Sequence, residues 1–475
     1  MGGADRLYLR ATIDALPDNV LTETFEFYLG KDDPDVVFDY NHTYDGWQTL
    51  VHVCGRWRCI VFASPRRLGL KLHCTRQRSV NSKTLDIWPA LPIVIFAQDM
   101  QSKEDATNVI AALRHHNRVC KIYYQNWQLQ DSVLKEFGAI DGPFPALTSL
   151  HLFSYTQNVP VLPDSFLGGS APRLRSLFLN GVPYPSIGNL LSSTMNLVRL
   201  ALWRIPHSGY ISPEMIVPCL STLPRLGSLE IGFRHPRSRA HRESRHPPPL
   251  TRVVLPSLTF VRFHGDSEYL EDILSQIETP ILTESVFDFF NQLVFDTPLL
   301  GHFIRRTETF MKIHTARVEF GSWSVKVALS GQDETANNAV ETLILSISCK
   351  PLDWQLSTLP QVLNSFLPSL STLEILEFAV SHEDWQGKIE VTQWQEFLHP
   401  FIAVKKMTLK DEASVQHVAP ALQELAGERA TEVLPALQNL SLTTSSWLPS
   451  GPLKEAIEEF IATRQLYGQP VTLHY

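Results

Sequence analysis

Side chains able to do chemistry are sparse in this chain, and their spacing does not gather them. His115-His116 lies in the helical run that begins Ala111-Ala112-Leu113-Arg114. Adjacent helical positions point different ways, and no cysteine or carboxylate pair stands beside them, so they do not form a metal-ligand set. Asp32-Asp33-x-Asp35 lacks the glycine and distal glutamate of a calcium loop and reads as an acidic, solvated turn. His382-Glu383-Asp384 is a lone trio of the same kind. The cysteines at 54, 59, 74, 120, 219 and 349 contain no C-x-x-C pair and are expected to be reduced thiols. There is no glycine-rich phosphate loop, no paired-histidine zinc helix and no nucleophile elbow. The expectation is a chain that is not an enzyme and has no catalytic residues, no cofactor and no metal.

One charged run does stand out. Residues 234–252 form a basic Arg/Pro loop carrying Arg237, Arg239, Arg242 and Arg245 and ending in Pro247-Pro248-Pro249. Such a run is ordinarily a solvated loop, and its guanidinium forks also suit carboxylate or phosphate groups.

Composition narrows the class. The chain has 475 residues, of which 44% are hydrophobic, enough for a large core. Lys plus Arg total 41 against 49 Asp plus Glu, a net charge of -8 that argues against a general nucleic-acid binder. No apolar run approaches the ~20 residues of a membrane helix, and the N-terminus has no hydrophobic signal region. A cytoplasmic or nuclear protein with no nucleic-acid or membrane partner is expected.

The elements that must position any functional group come from a repeat. An apolar triplet at positions 1, 4 and 6 recurs every 23–34 residues. Clear copies are Leu147-Leu150-Leu152, Leu174-Leu177-Leu179, Leu197-Leu200-Leu202, Leu226-Leu229-Ile231 and Leu258-Val261-Phe263. Earlier ones are Leu91-Val94-Phe96 and Val119-Ile122-Tyr124, and later ones are Val340-Leu343-Leu345, Leu370-Leu373-Ile375, Val404-Met407-Leu409 and Leu437-Leu440-Leu442. Weaker copies start at Leu282, with Ser285 in the middle slot, and at Thr315. Positions 4 and 6 alternate as in a strand with one buried face. The intervening runs, such as Ile187, Leu190 and Leu191 or Val415, Val418, Ala419 and Leu422, have helical spacing. One strand and one helix cannot bury their own core, so the units must stack.

The predicted fold is α/β. It looks like an irregular leucine-rich-repeat solenoid over 71–475, with parallel strands on the concave face and helices on the convex face. The asparagine usual three residues after position 6 is missing, so uneven repeats are expected. Positions 3, 5 and 7 would then face the concave surface. Large aromatics and arginines there favour an interface, and Tyr123, Phe153, Phe178, Arg199, Trp203 and Arg262 are the candidates for holding a protein substrate.

Residues 1–14 form a tail, and 15–70 do not follow the repeat. Val20, Leu21, Thr24, Phe25, Tyr28 and Leu29 form one helical stripe after Leu16-Pro17, and a second helical run spans 47–62. Leu16-Pro17 with Leu21 and Phe25, then Leu50, Val53-Cys54, Trp57-Arg58 and Ser64-Pro65, resembles the F-box, a small all-α module. Phrases such as Trp88-Pro89-Ala90-Leu91-Pro92, Pro163-Asp164-Ser165-Phe166 and Phe303-Ile304-Arg305-Arg306-Thr307 are similar to the large mushroom-type fungal family of F-box-like proteins with leucine-rich repeats.

That resemblance implies the substrate-recognition subunit of a cullin-RING ubiquitin ligase. It implies that a Skp-type adaptor, and through it a cullin, is bound by Leu16, Pro17, Leu21, Phe25, Val53, Cys54 and Trp57. The alternative is a free-standing repeat scaffold whose N-terminal helices only cap the array.

Overall fold

The computed structural model describes residues 13–30, 46–75, 85, 88–98, 103–126, 131–140, 142–156, 159–236, 251–292, 294–331, 341–349, 352–363, 372–380, 391–424, 432–443 and 451–475. The chain divides into two compact units, Met1–Thr194 and Met195–Tyr475.

The first unit opens with three helices, α1 (Asp18–Leu29), α2 (Gly46–Val53) and α3 (Gly55–Ala63). Pro17 sits at the N-cap of α1, where its missing N–H costs nothing. Leu21 and Phe25 share the buried face of α1 with Thr22, and Leu50, Val51, Ile60 and Val61 are the buried apolar residues of α2 and α3. Arg56 clamps the start of α1: its guanidinium donates to the Asp18 carboxylate at 2.6 and 3.0 Å and to the Leu16 carbonyl at 2.6 Å. Five parallel strands follow in chain order: β1 (Leu72–Thr75), β2 (Ile93–Gln98), β3 (Val119–Asn126), β4 (Ser149–Ser154) and β5 (Ser176–Asn180). The helical module is tied to this sheet. Trp47 Nε1 donates to the Lys71 carbonyl at 3.0 Å, and the Trp47 ring packs edge-on against Trp88 at 5.2 Å.

The second unit carries β6 (Arg199–Ile205), β7 (Ser228–Phe233), β8 (Val253–Val254), β9 (Phe260–Gly265), β10 (Ile277–Glu278), β11 (Glu284–Phe289), β12 (Ile313–Phe320), β13 (Val325–Gly331), β14 (Glu341–Ile347), β15 (Ile375–Val380), β16 (Lys406–Leu409), β17 (Asn439–Leu442) and β18 (Thr472–His474). Helices Pro213–Ser221, Ser267–Gln276, Pro298–Arg306, Leu352–Leu363, Val391–Leu398, Glu412–Glu424 and Pro452–Leu466 alternate with them. β8 and β10 form a separate two-stranded parallel pair.

The repeat logic holds in both units. Position-1 residues Leu147, Leu174, Leu197, Leu226, Leu258 and Leu282 are all buried, as are the position-4 and position-6 residues that follow them, Ser285 included. The parallel ladder extends to position 2, ahead of each strand. There, backbone N–H groups donate to the position-2 carbonyl of a neighbouring repeat: Arg175 to Thr148, Gly227 to Val198, Thr259 to Gly227, Thr283 to Thr259, Lys405 to Glu374 and Gln438 to Lys405. The hydroxyls of Thr259 and Thr283 reinforce the same carbonyls at 3.1 and 2.9 Å.

Spatial order departs from chain order in one place. From β11 the sheet runs β14, β13, β12, β15. β14–β13 and β13–β12 are antiparallel, so β12–β14 is a meander folded back toward β11 inside a parallel array. β13 had no counterpart in the apolar triplets.

Three triplets lie in a different phase from the one their spacing predicts. Ile95, not Val94, aligns with Ile122, so Phe96 belongs to the outer face. Leu376 and Phe378 align with Met407 and Leu409, which makes the true copy Leu373-Leu376-Phe378 and leaves Ile375 outside the core. Ala316 and Val318 align with Leu376 and Phe378, so that copy begins at Ile313 rather than Thr315. An apolar residue every two or three positions fits more than one phase, and only strand pairing selects between them.

Candidate functional site

The residues expected to hold an adaptor do not form one exposed patch. Leu21 and Phe25 lie in the module's own core, and Phe25 packs on Trp57 with ring centroids 4.8 Å apart. Trp57 and Cys54 are half-buried, the Cys54 sulfur accepting the Trp57 N–H at the start of α3. Leu16, Pro17 and Val53 are exposed. They stand on a module that also exposes Ile13, Val20, Tyr28 and, at 91%, Phe27. Direct contact with any partner is therefore open to Leu16, Pro17 and Val53, while Leu21 and Phe25 shape the helices from inside.

In the first unit the outer strand face is a ladder of rings. Phe96 stacks on Tyr123 at 4.9 Å, Tyr123 meets Phe153 at 5.0 Å, and Phe153 stacks on Phe178 at 4.9 Å. His151 stacks on Phe178 at 5.6 Å and bonds Ser176 Oγ at 3.0 Å. Phe96 and Tyr123, and His151 and Phe178, are register partners brought to stacking distance by strands about 4.8 Å apart, whereas Phe153 reaches Tyr123 and Phe178 diagonally. Tyr123, Phe153 and Phe178 thus come together as expected. Tyr123 is nevertheless buried under its neighbours, with its hydroxyl donating to Gln125 at 2.7 Å. Phe96 joins them because Ile95, not Val94, takes the core position, one residue from the phase the triplet predicts.

In the second unit the outer face is charged. Glu230, 5% exposed, accepts from Arg199 Nη2 at 2.7 Å and from Trp203 Nε1 at 3.0 Å. A bulge positions the indole: pairing between β6 and β7 shifts between Leu202 and Ile205, and Arg204 sits in the left-handed region at φ 49°. The Trp203 ring occupies the place a side chain at Gly232 would take. Arg262 lies over that ring, 5.0 Å from its centroid, and 3.9 Å from the Asp288 carboxylate.

Burial pushes the Asp288 carboxyl up, against the pull of Arg262 and His264. Burial likewise lowers His264, against the pull of Asp288. Arg199, Trp203 and Arg262 are therefore one cluster, and Glu230 and Asp288 complete it. The outward parity of Glu284, Val286 and Asp288 on β11 was the sequence signal for Asp288.

Arg237, Arg239, Arg242 and Arg245 lie outside the described residues, as do the Asp32 and His382 clusters. His116 Nδ1 bonds the Pro143 carbonyl at 2.8 Å, a structural contact. No group of three or more metal-ligating side chains occurs among the described residues. No helix among them is long and apolar enough to cross a membrane.

No family model matches the chain. No curated protein matches it. Among solved structures, it is similar to the leucine-rich repeat-containing protein LegL7 from Legionella pneumophila, at 13% identity over 71% of this chain and 97% of that one, with a TM-score of 0.29.

Proposed function

We propose that the chain is a non-catalytic recognition subunit that holds a protein substrate on its outer strand faces and docks through its N-terminal helices on the Skp-type adaptor of a cullin-RING ubiquitin ligase. Its contribution to the reaction is effective concentration and orientation. The observation that carries this reading is the exposed apolar set around Leu16-Pro17, comprising Ile13, Val20 and Val53, on a module whose own core is already filled by Leu21 and Phe25. Exposed apolar side chains grouped on one small module mark an interaction site.

A second reading, a repeat scaffold with an N-terminal cap, is favoured by the Trp47–Lys71 and Trp47–Trp88 contacts, which bind the helices to the sheet.

Co-purification with a Skp-type adaptor separates the two. A Leu16→Asp, Val53→Asp double variant changes only exposed positions and should keep the wild-type melting temperature. Loss of a wild-type complex in that variant supports the ligase subunit. A folded wild-type chain that captures no adaptor leaves the scaffold.

A further inference from the structure

Resting on the reading that the outer strand faces hold a protein partner, the second unit specifies what that partner carries. Two other cations on this face touch a carboxylate directly: Lys326 on Glu341 at 3.0 Å and Lys410 on Glu377 at 2.5 Å. Arg262 differs. Its Asp288 partner stands at 3.9 Å, beyond hydrogen-bond reach, and none of its donors has an acceptor among the described residues.

The guanidinium is nonetheless held in place by the Trp203 ring beneath it, and that ring is held by Glu230. A cation–π contact fixes the group while leaving its N–H edge open. Arg199 is anchored by one nitrogen to the same Glu230, and no other bond to its guanidinium occurs among the described residues.

What a partner meets follows from exposure. The side chains of Arg199 and Arg262 are 46% and 44% exposed, whereas those of Glu230 and Asp288 are 6% and 23% exposed. The carboxylates lie underneath and the guanidinium edges lie on top. Glu284, at the far side of β9, is half-buried and is the next nearest acid in the strand register.

We propose that Arg262 and Arg199, mounted on Trp203 and Glu230, bind carboxylate side chains of an acidic segment of the protein partner. A guanidinium fork matches a carboxylate with two parallel hydrogen bonds, and the supporting indole and glutamate already hold both arginines, which lowers the ordering cost of binding.

The test uses the full chain and a fluorescein-labelled peptide of alternating glutamate and alanine, with fluorescence polarisation as the readout. The same peptide with glutamine for glutamate, and one with phosphoserine for glutamate, form the other arms. Wild type should bind the glutamate peptide at least about tenfold tighter than the glutamine peptide, and added salt should weaken it. Arg262→Gln should lose that preference with an unchanged melting temperature, and Arg199→Gln should lose it while remaining folded, at a lower melting temperature because Glu230 then keeps only Trp203.

The site is overturned if glutamate and glutamine peptides bind wild type alike, or if both variants keep the preference. Tighter binding of the phosphoserine peptide overturns the carboxylate assignment. Adaptor co-purification of the same proteins reads the N-terminal helices separately. Glutamate-selective binding by a chain that captures no adaptor keeps this site and removes the ligase role. An adaptor complex without that selectivity does the reverse.

Discussion

The indole of Trp203 donates to the Glu230 carboxylate across the β6–β7 pair at 3.0 Å, and the same carboxylate takes Arg199 at 2.7 Å. A nearly buried acid thus organises an aromatic ring and a cation on the strand before it. Removing the acid strands a half-buried indole N–H and leaves Arg199 without its anchor. Glu230→Ala is expected to cost about 1–3 kcal/mol, read as a lower denaturant midpoint with an unchanged slope.

Gly232 lies directly beneath Trp203, where any Cβ would meet the ring. Gly232→Ala must push the indole off its seat, and Arg262 with it. A loss of about 1–3 kcal/mol is expected from overpacking, together with a shift of tryptophan emission. Unchanged emission would show that the ring does not rest there.

Ser285 fills the middle slot of its repeat, fully buried, and its hydroxyl has no hydrogen-bond partner among the described residues. Every aligned position on β7 and β9 is apolar: Leu229 and Val261. Ser285→Ala deletes only the stranded hydroxyl and should raise stability by about 1 kcal/mol, measured by thermal or urea unfolding. A loss would mean the hydroxyl is satisfied in solution.

Glu271 caps a helix that is not its own. It is 1% exposed, and its carboxylate accepts the backbone N–H groups of Leu299 and Leu300 at 3.0 and 2.5 Å, in the first turn of Pro298–Arg306. Charge and the helix dipole act together here. Glu271→Ala should cost about 2–3 kcal/mol by leaving buried donors unpaired, and Glu271→Gln should cost less. Faster amide exchange at Leu299 and Leu300 would localise the effect.

His264 gives the fold a pH dependence. Burial depresses its folded-state pKa below the ordinary imidazole value of about 6.5. Its contribution is therefore present above that value and is lost as pH falls through the folded pKa, because the unfolded chain takes up the proton first. Asp288 has the opposite shift, raised by burial, and regains stability on acidification only in the carboxylate range. Between pH ~7 and ~5, His264→Gln should flatten the decline of the unfolding midpoint that wild type shows. Parallel curves for the two proteins would remove His264 as a source.

The chain's local pattern was enough to reveal a stack of strand–helix repeats. Leucines at positions 1, 4 and 6 announce their own burial, and most copies, from Leu147 to Leu258, lie where the alternation puts them. The helices at Ile187–Leu191 and Glu412–Glu424 were legible for the same reason. Those signals are local: each needs only a few neighbouring residues to be read.

Three things needed the tertiary structure. The order β11, β14, β13, β12, β15 depends on which distant strands pair, and a strand's own residues do not encode its neighbour. The phase of the copies near 91, 315 and 370 was settled by register against β3, β15 and β16. The cluster of Trp203, Glu230, Arg262 and Asp288 joins four strands that are far apart in the chain, and a bulge at Arg204 aims its central ring. Leu21 and Phe25, expected from the F-box likeness to face a partner, are buried within the chain, Phe25 against Trp57, because an amphipathic stripe buries itself against whatever apolar surface its own chain supplies first.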